Sequence, residues 1–232
     1  QNFHVSQLNS DYQPLVVSNV QGSRPVIRFD GLNDSMSHID QAVSSPAELS
    51  LFVVARHLGS DSYAQKSILS GGSTSRFMLG QQRATQNSSL SFYGGSSLGW
   101  ITDDTGFGVS QFKSVSVIYD GKKVSLYSNG SLVRQSFASG SLPDLTFTLG
   151  SFLNSNYLDG DIGEIILLNQ SVSETKRQEI EDYLDLKWGL TDQSMNTTLL
   201  LRSHQSLVSA TASDQLVITQ NVAGRYVDID VF

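Results

Sequence analysis

No cysteine occurs among the 232 residues. Disulfides, thiolate zinc sites and a cysteine nucleophile are therefore excluded. Charge is scarce as well: Asp, Glu, Lys and Arg make up 16% of the chain, against roughly a quarter in ordinary globular proteins. The charge present sums to −7. A nucleic-acid partner needs a basic face to neutralise phosphates, so none is expected. Without a basic run of five residues, an anionic membrane surface fits no better. Apolar runs are short, none approaching the roughly 18 residues of a spanning helix, and membrane insertion is not expected. No charged segment followed by an apolar core opens the chain, so any signal peptide is expected to be gone already.

Serine, asparagine and glycine fill the space that charge leaves. They suit short strands joined by tight turns. They also suit a protein secreted or displayed at a surface, here a disulfide-free one of bacterial or viral type, virions included. The apolar fraction of 39%, with 9% aromatic, is enough for the core of one large β domain, and sandwiches of this length are common. Asn-x-Ser/Thr acceptors stand at Asn33, Asn87, Asn129, Asn169 and Asn196. In so serine-rich a chain they carry little weight.

Residues 1–24 read as polar and irregular around a short apolar patch, Leu15-Val-Val17. Arg24 to Gly31 alternates, with Ile27 and Phe29 on one face and Val26, Arg28 and Asp30 on the other: a half-buried strand ended by a glycine turn. Glu48-Leu-Ser-Leu-Phe-Val-Val-Ala-Arg56 is nearly all apolar and reads as a central strand. Shorter strands are expected at 67–70, 76–80 and 89–93, with a long loop or a pair of weak strands over 96–112. Asp120-Gly121 and Asn129-Gly130, each flanked by alternating apolar residues, are strong hairpin signals, because both turn residues tolerate positive φ. Together they predict a three-stranded meander over 114–137.

The sharpest pattern is Asp159 to Gly189. A buried strand, Ile162 to Leu168, runs into a helix capped by Ser173 or, in the alternative start, by Ser171 with Glu174. Ile180, Leu184 and Trp188 form its apolar stripe beside Tyr183, with Glu174, Lys176, Glu179, Glu181 and Lys187 on the remaining faces. Gly189 fits the left-handed stop. Residues 191–232 change character and suggest three more strands, at 198–202, 215–219 and 226–232.

In their order, Arg24-Pro-Val-Ile-Arg-Phe-Asp-Gly-Leu-Asn-Asp34, Ser50-Leu-Phe-Val-Val-Ala-Arg56, the Tyr119-Asp-Gly121 and Leu126-Tyr-Ser-Asn-Gly130 meander and the 159–190 unit resemble bacterial laminin G-like domains. That family belongs to the concanavalin A-like lectin/glucanase superfamily. The resemblance covers roughly residues 10–190. It implies an all-β, antiparallel two-sheet jelly-roll sandwich with one C-terminal helix, over domain 1–190. Residues 191–232 would be a β tail or the start of an appended module. It further implies glycan or protein ligands on loops or a concave face, often with a calcium ion.

Catalysis is not expected. Glucanases of that superfamily place acids at i, i+2 and i+4 on one strand, and no Glu-x-Asp-x-Glu occurs here. Asp228 and Asp230 are only two, and His4, His38, His57 and His204 are scattered without metal spacing. For calcium, which takes several oxygen ligands, the candidates are Asp30, Asn33 and Asp34 in the turn after the first core strand. Asp159, Asp161 and above all Glu164 would join them from the strand beside it. For a glycan, planar amides and carboxylates beside an exposed aromatic are needed. Trp100 with Asp103, Arg76, and the loop residues Asn154, Asn156 and Tyr157 have that mix, and Trp100 leads because it has few evident core partners. The sequence thus points to a non-catalytic recognition module, glycan-binding or adhesive. The alternative is a structural or decoration protein of a viral or extracellular assembly, meeting identical subunits through 191–232.

Overall fold

The computed structural model describes residues 5–59, 65–71, 76–83, 88–103, 107 and 109–190, with strands further on at 216–220 and 227–231. The chain divides into two units, Gln1–Asp192 and Gln193–Phe232. In the first, the chain passes through β1 (Leu15–Gln21), β2 (Arg24–Asp30), β3 (Met36–Val43), β4 (Leu49–His57) and β5 (Lys66–Gly71). It continues through β6 (Phe77–Arg83), β7 (Ser88–Tyr93), the one-turn helix α1 (Gly95–Leu98), β8 (Trp100–Thr102) and β9 (Lys113–Tyr119). It ends with β10 (Lys123–Ser128), β11 (Ser131–Phe137), β12 (Leu145–Leu149), β13 (Asp159–Leu168) and helix α2 (Glu174–Trp188).

These strands form two antiparallel sheets, ordered β1-β2-β13-β4-β9-β10-β11 and β3-β12-β5-β6-β7-β8. β4 explains its own sequence. Leu49, Leu51, Val53 and Ala55 join the core between the sheets, whereas Phe52 and Val54 belong to a second cluster outside. A strand covered on both faces needs apolar residues at nearly every position. The opposite sheet contributes Leu69, Phe77, Leu79, Leu90, Phe92 and Leu149 to the same inner core. The arrangement is a two-sheet β-sandwich with its one long helix on the outside.

That helix closes the second cluster. Ser173 accepts from the Lys176 N–H at 3.2 Å, and Gly189 takes the left-handed conformation at φ 60°. Leu184 and Trp188 pack with Val26, Phe52, Val54 and Phe112. The Trp188 indole donates to Glu164 at 2.8 Å and lies flat on Gly163, where an added Cβ would fall 2.7 Å from the ring. Glu181 departs from its expected solvent face: it is buried, accepting from Ser116 Oγ at 2.6 Å and paired with Arg177. Arg177 also bonds Glu174 at 2.5 Å and covers the Tyr127 ring, 3.9 Å from its centroid. Tyr183, expected beside the apolar stripe, is largely exposed.

Three further features differ from the sequence expectation. The irregular start contains β1, an edge strand paired with β2. β3 forms from Met-Ser-His-Ile-Asp-Gln-Ala-Val, whose polar residues hide any strand period. Where a long loop or a pair of weak strands was expected over 96–112, the described residues hold the end of α1 and one short strand, β8, and Phe107 and Phe112 are buried. The meander is as expected, with Gly121 at φ 82° and Asn129 and Gly130 at 47° and 75°.

In the second unit, β14 (Leu216–Gln220) pairs antiparallel with β15 (Val227–Val231), Ile218 opposite Ile229. The strand expected at 198–202 lies outside the described residues.

Candidate functional site

The face of the smaller sheet turned away from the inner core is polar and small by alternation, and Ser89 and Ser91 on it are themselves buried. While Leu90 and Phe92 of β7 enter the core, Ser89, Ser91 and Tyr93 take the other face. Register then sets Tyr93 opposite Met78 of β6 and Trp100 of β8, and Ser91 opposite Gly80 and Thr102. Ser91 Oγ donates to Thr102 Oγ1 at 3.1 Å. Trp100 and Tyr93 stack with ring centroids 4.8 Å apart and planes inclined 34°. Trp100 keeps 39% of its surface exposed, whereas Ile101 beside it is buried in the core. An offset pair of this kind fixes both rings while leaving an aromatic face open to solvent.

The glycan candidates fall around this pair unequally. Arg76 is exposed, one residue before β6, and its carbonyl oxygen is 3.5 Å from where a Cβ on Gly95 would lie. Its backbone therefore lies beside Gly95, two residues from Tyr93. Asp103 follows β8, but its side chain is buried and its N–H donates to the Leu90 carbonyl. Asn154, Asn156 and Tyr157 sit in the loop before β13, where Leu153, Asn154 and Asn156 have φ of 58°, 53° and 51°. Tyr157 donates its hydroxyl to the Asn154 carbonyl at 2.9 Å, and the Asn156 carbonyl accepts from Ser67 of β5. Since β5 and β8 are three strand spacings apart in the sheet order, this loop is roughly 14 Å from Trp100. The six residues do not form one cluster. The partner of Trp100 that the sequence reading missed is Tyr93. Its signal was its parity with Ser89 and Ser91, opposite to that of the core residues Leu90 and Phe92.

The calcium candidates do not converge either. Asp30 accepts from the N–H groups of Leu32 at 2.8 Å and Asn33 at 3.3 Å, closing its own turn. Asp34 accepts from the Asp30 N–H at 3.0 Å, and burial raises its carboxyl above the usual range against that hydrogen bond. Asp161 is fully buried between Arg28 and Arg56, at 2.7 Å and 2.6 Å. The hydrogen bond to Asp161 is the main cause holding Arg28 above its usual pKa. Glu164 turns to α2, bonded to Trp188 and to Lys187 at 2.9 Å. Among the described residues, no three His, Asp or Glu side chains come together to hold a metal ion. Asp30, Asn33, Asp34 and Glu164 thus do not fit a shared calcium cage.

At the same end of the sandwich, His57 ends β4 buried, edge-on to Phe107 with centroids 6.1 Å apart. Its Nε2 has no hydrogen-bond partner among the described residues. Burial first, and the Lys66 charge second, lower its pKa to about 4.

No family model matches the chain, and no curated protein matches it in sequence. Solved structures do. Domain 4 of AbnA, a GH43 extracellular arabinanase from Geobacillus stearothermophilus seen with arabinotriose, superposes with a TM-score of 0.56 at 16% identity, over 68% of this chain and 77% of that one. The binding domain of Paraclostridial Mosquitocidal Protein 1 gives 0.61 at 11% identity, over 81% of this chain and 50% of that one. The receptor binding domain of a botulinum neurotoxin C/D mosaic serotype gives 0.54 at 15% identity, over 81% and 49%. The chain has their β-sandwich fold. This chain spans about half the length of the two toxin domains, and at such identities the likeness concerns architecture alone.

Proposed function

We propose that this protein is a non-catalytic recognition module, extracellular or surface-displayed, that binds a glycan on the Trp100–Tyr93 pair. The observation that carries the reading is the exposed Trp100 ring braced on Tyr93 at 4.8 Å. A pyranose or furanose offers C–H groups to such a ring, and hydroxyls to donors and acceptors at its rim. Two observations lend support: arabinotriose is bound in the structure of the arabinanase domain, and the toxin domains are described as binding domains. The laminin G-like motifs in the sequence point the same way, towards ligands met outside the cell. Arg76, beside Gly95, would contact one end of a ligand, while Asn154, Asn156 and Tyr157 lie too far off for the same sugar unit.

The test is a glycan array read with and without calcium, followed by titration of the best oligosaccharide against tryptophan fluorescence. Trp100→Ala is expected to weaken binding by at least tenfold, with Trp100→Phe intermediate, since base- or sugar-sized stacking contributes about 1–3 kcal/mol. Selective binding that survives Trp100→Ala unchanged rules the platform out. An array without any selective signal rules out glycan recognition.

A further inference from the structure

Arginine is the residue this chain uses to tie its parts together. Arg24 donates to the Lys187 carbonyl, Arg28 and Arg56 share Asp161, Arg177 holds Glu174 and Glu181, and Arg134 is engaged as well. Arg76 is different. It is exposed, and among the described residues nothing hydrogen-bonds or pairs with its guanidinium. In a chain with 22 acidic residues against 15 basic ones, a spare cation is no product of excess.

Register sets its place. Ser70, Met78, Tyr93 and Trp100 lie opposite one another across β5 to β8, on the face turned from the inner core. Arg76 stands two residues before Met78, with the same parity, and its carbonyl oxygen is 3.5 Å from where a Cβ on Gly95 would lie. Two residues and one strand spacing put its Cα roughly 8 Å from that of Tyr93, and a second spacing puts it roughly 12 Å from that of Trp100. One sugar ring and one extended arginine side chain together span the larger distance. The described strand positions of this face from β5 to β8 carry no charge. Asp144 comes close by, since it follows Pro143, which is 3.3 Å from the same Gly95 position. Its carboxylate is turned to Ser45, accepting from the N–H at 2.9 Å and the hydroxyl at 3.0 Å. An anion arriving at the aromatic pair therefore meets one uncommitted positive charge and no carboxylate from the described strands beneath.

We infer that the sugar taken by the Trp100–Tyr93 pair is acidic, a pyranose whose carboxylate is held by Arg76. The inference rests on the glycan reading of that pair and narrows it. A guanidinium forks onto a carboxylate through two parallel N–H bonds, each roughly twice as strong as one between neutral groups. A hydroxyl in the same place gains little over water. Stacking supplies the hold common to all sugars, and Arg76 supplies the choice among them.

The full chain is titrated with two acids, trigalacturonate and 3′-sialyllactose, each against its methyl ester, which keeps the shape and removes the charge. The two pairs separate a uronic from a nonulosonic acid as the source of the carboxylate. In at least one pair the acid is expected to bind at least tenfold tighter at low salt, the gap narrowing at high salt as charges are screened. Arg76→Gln is expected to close that gap by weakening the acid, with an unaltered far-UV spectrum, and Trp100→Ala to weaken acid and ester together. Equal affinity for acid and ester, with Trp100 still required, overturns the inference and leaves the glycan reading standing. So does a preference that survives Arg76→Gln, which places the carboxylate elsewhere. Failure of both acids to bind, when a neutral glycan binds through Trp100, also overturns the inference alone. Failure of every glycan overturns both.

Discussion

His57 shows how one side chain ties the sandwich to pH. Its imidazole is buried against Phe107 without a partner for Nε2 among the described residues, and its pKa falls to about 4 from an ordinary 6.5. Between those values the unfolded chain binds a proton that the folded chain refuses. The stability His57 permits is therefore whole above about pH 6.5 and is lost as pH falls towards 4, by about 3 kcal/mol. Denaturant melts at pH 7 and pH 4.5 are expected to show this drop in the wild type and a smaller one in His57→Leu. Equal drops would mean the imidazole is not the sensor. Gly163 is a second such residue. Because Trp188 fills the space a Cβ would need, Gly163→Ala is expected to cost about 1–3 kcal/mol by overpacking, read as a lower urea midpoint. Both residues were silent in the sequence. A lone histidine ending an apolar run and a glycine inside a strand take their meaning from neighbours distant in the chain.

Helix α2 holds to the sheet by two adjoining stripes. One is apolar, Leu184 and Trp188, and follows from the i, i+4 period. The other is Arg177 and Glu181, one turn apart, both buried and reaching Ser116 and Tyr127. Helical period alone assigned Glu181 to solvent, because charge is the ordinary mark of an outer face. Nothing local announced that β9 would meet it with serines. Removing one partner leaves a buried charge unmatched, so Glu181→Ala is expected to destabilise by about 3–5 kcal/mol in urea titrations. The double change Arg177→Met, Glu181→Leu is expected to recover most of that loss. The strand–helix pair of 159–189 was legible since caps, stripe and stop all agree within thirty residues. β1 and β3 were not, as edge strands lack the two-sided burial that makes β4 so plain. For the candidate site, Trp100 could be singled out by composition, but its bond to Tyr93 depends on α1 and β8 folding the chain back, which Gly-Gly-Ser-Ser-Leu-Gly does not declare.

Across the molecule, the described residues of both apolar clusters of the sandwich come from the first unit. Truncation after Asp192 is accordingly expected to leave one cooperative thermal transition, within a few degrees of the full chain by differential scanning calorimetry. A lost or broadened transition would show that residues 193–232 complete the core. The two-stranded β14–β15 ladder, by contrast, is of a size that is marginal on its own.

The order of the larger sheet has a consequence for how the chain is made. β13 lies between β2 and β4, so the hairpin β1–β2 leaves the ribosome with its place in the sheet still unfilled. At about 5–20 residues per second, roughly 7–28 s pass between synthesis of Asp30 and of Leu168. Throughout that interval Phe29 has no closed interior to enter, and β4 offers an open flank to any extended segment nearby. The nascent chain thus waits on the last strand of its sandwich, and a chaperone able to shield β-flanks should raise its folding yield more than one that acts on the finished protein.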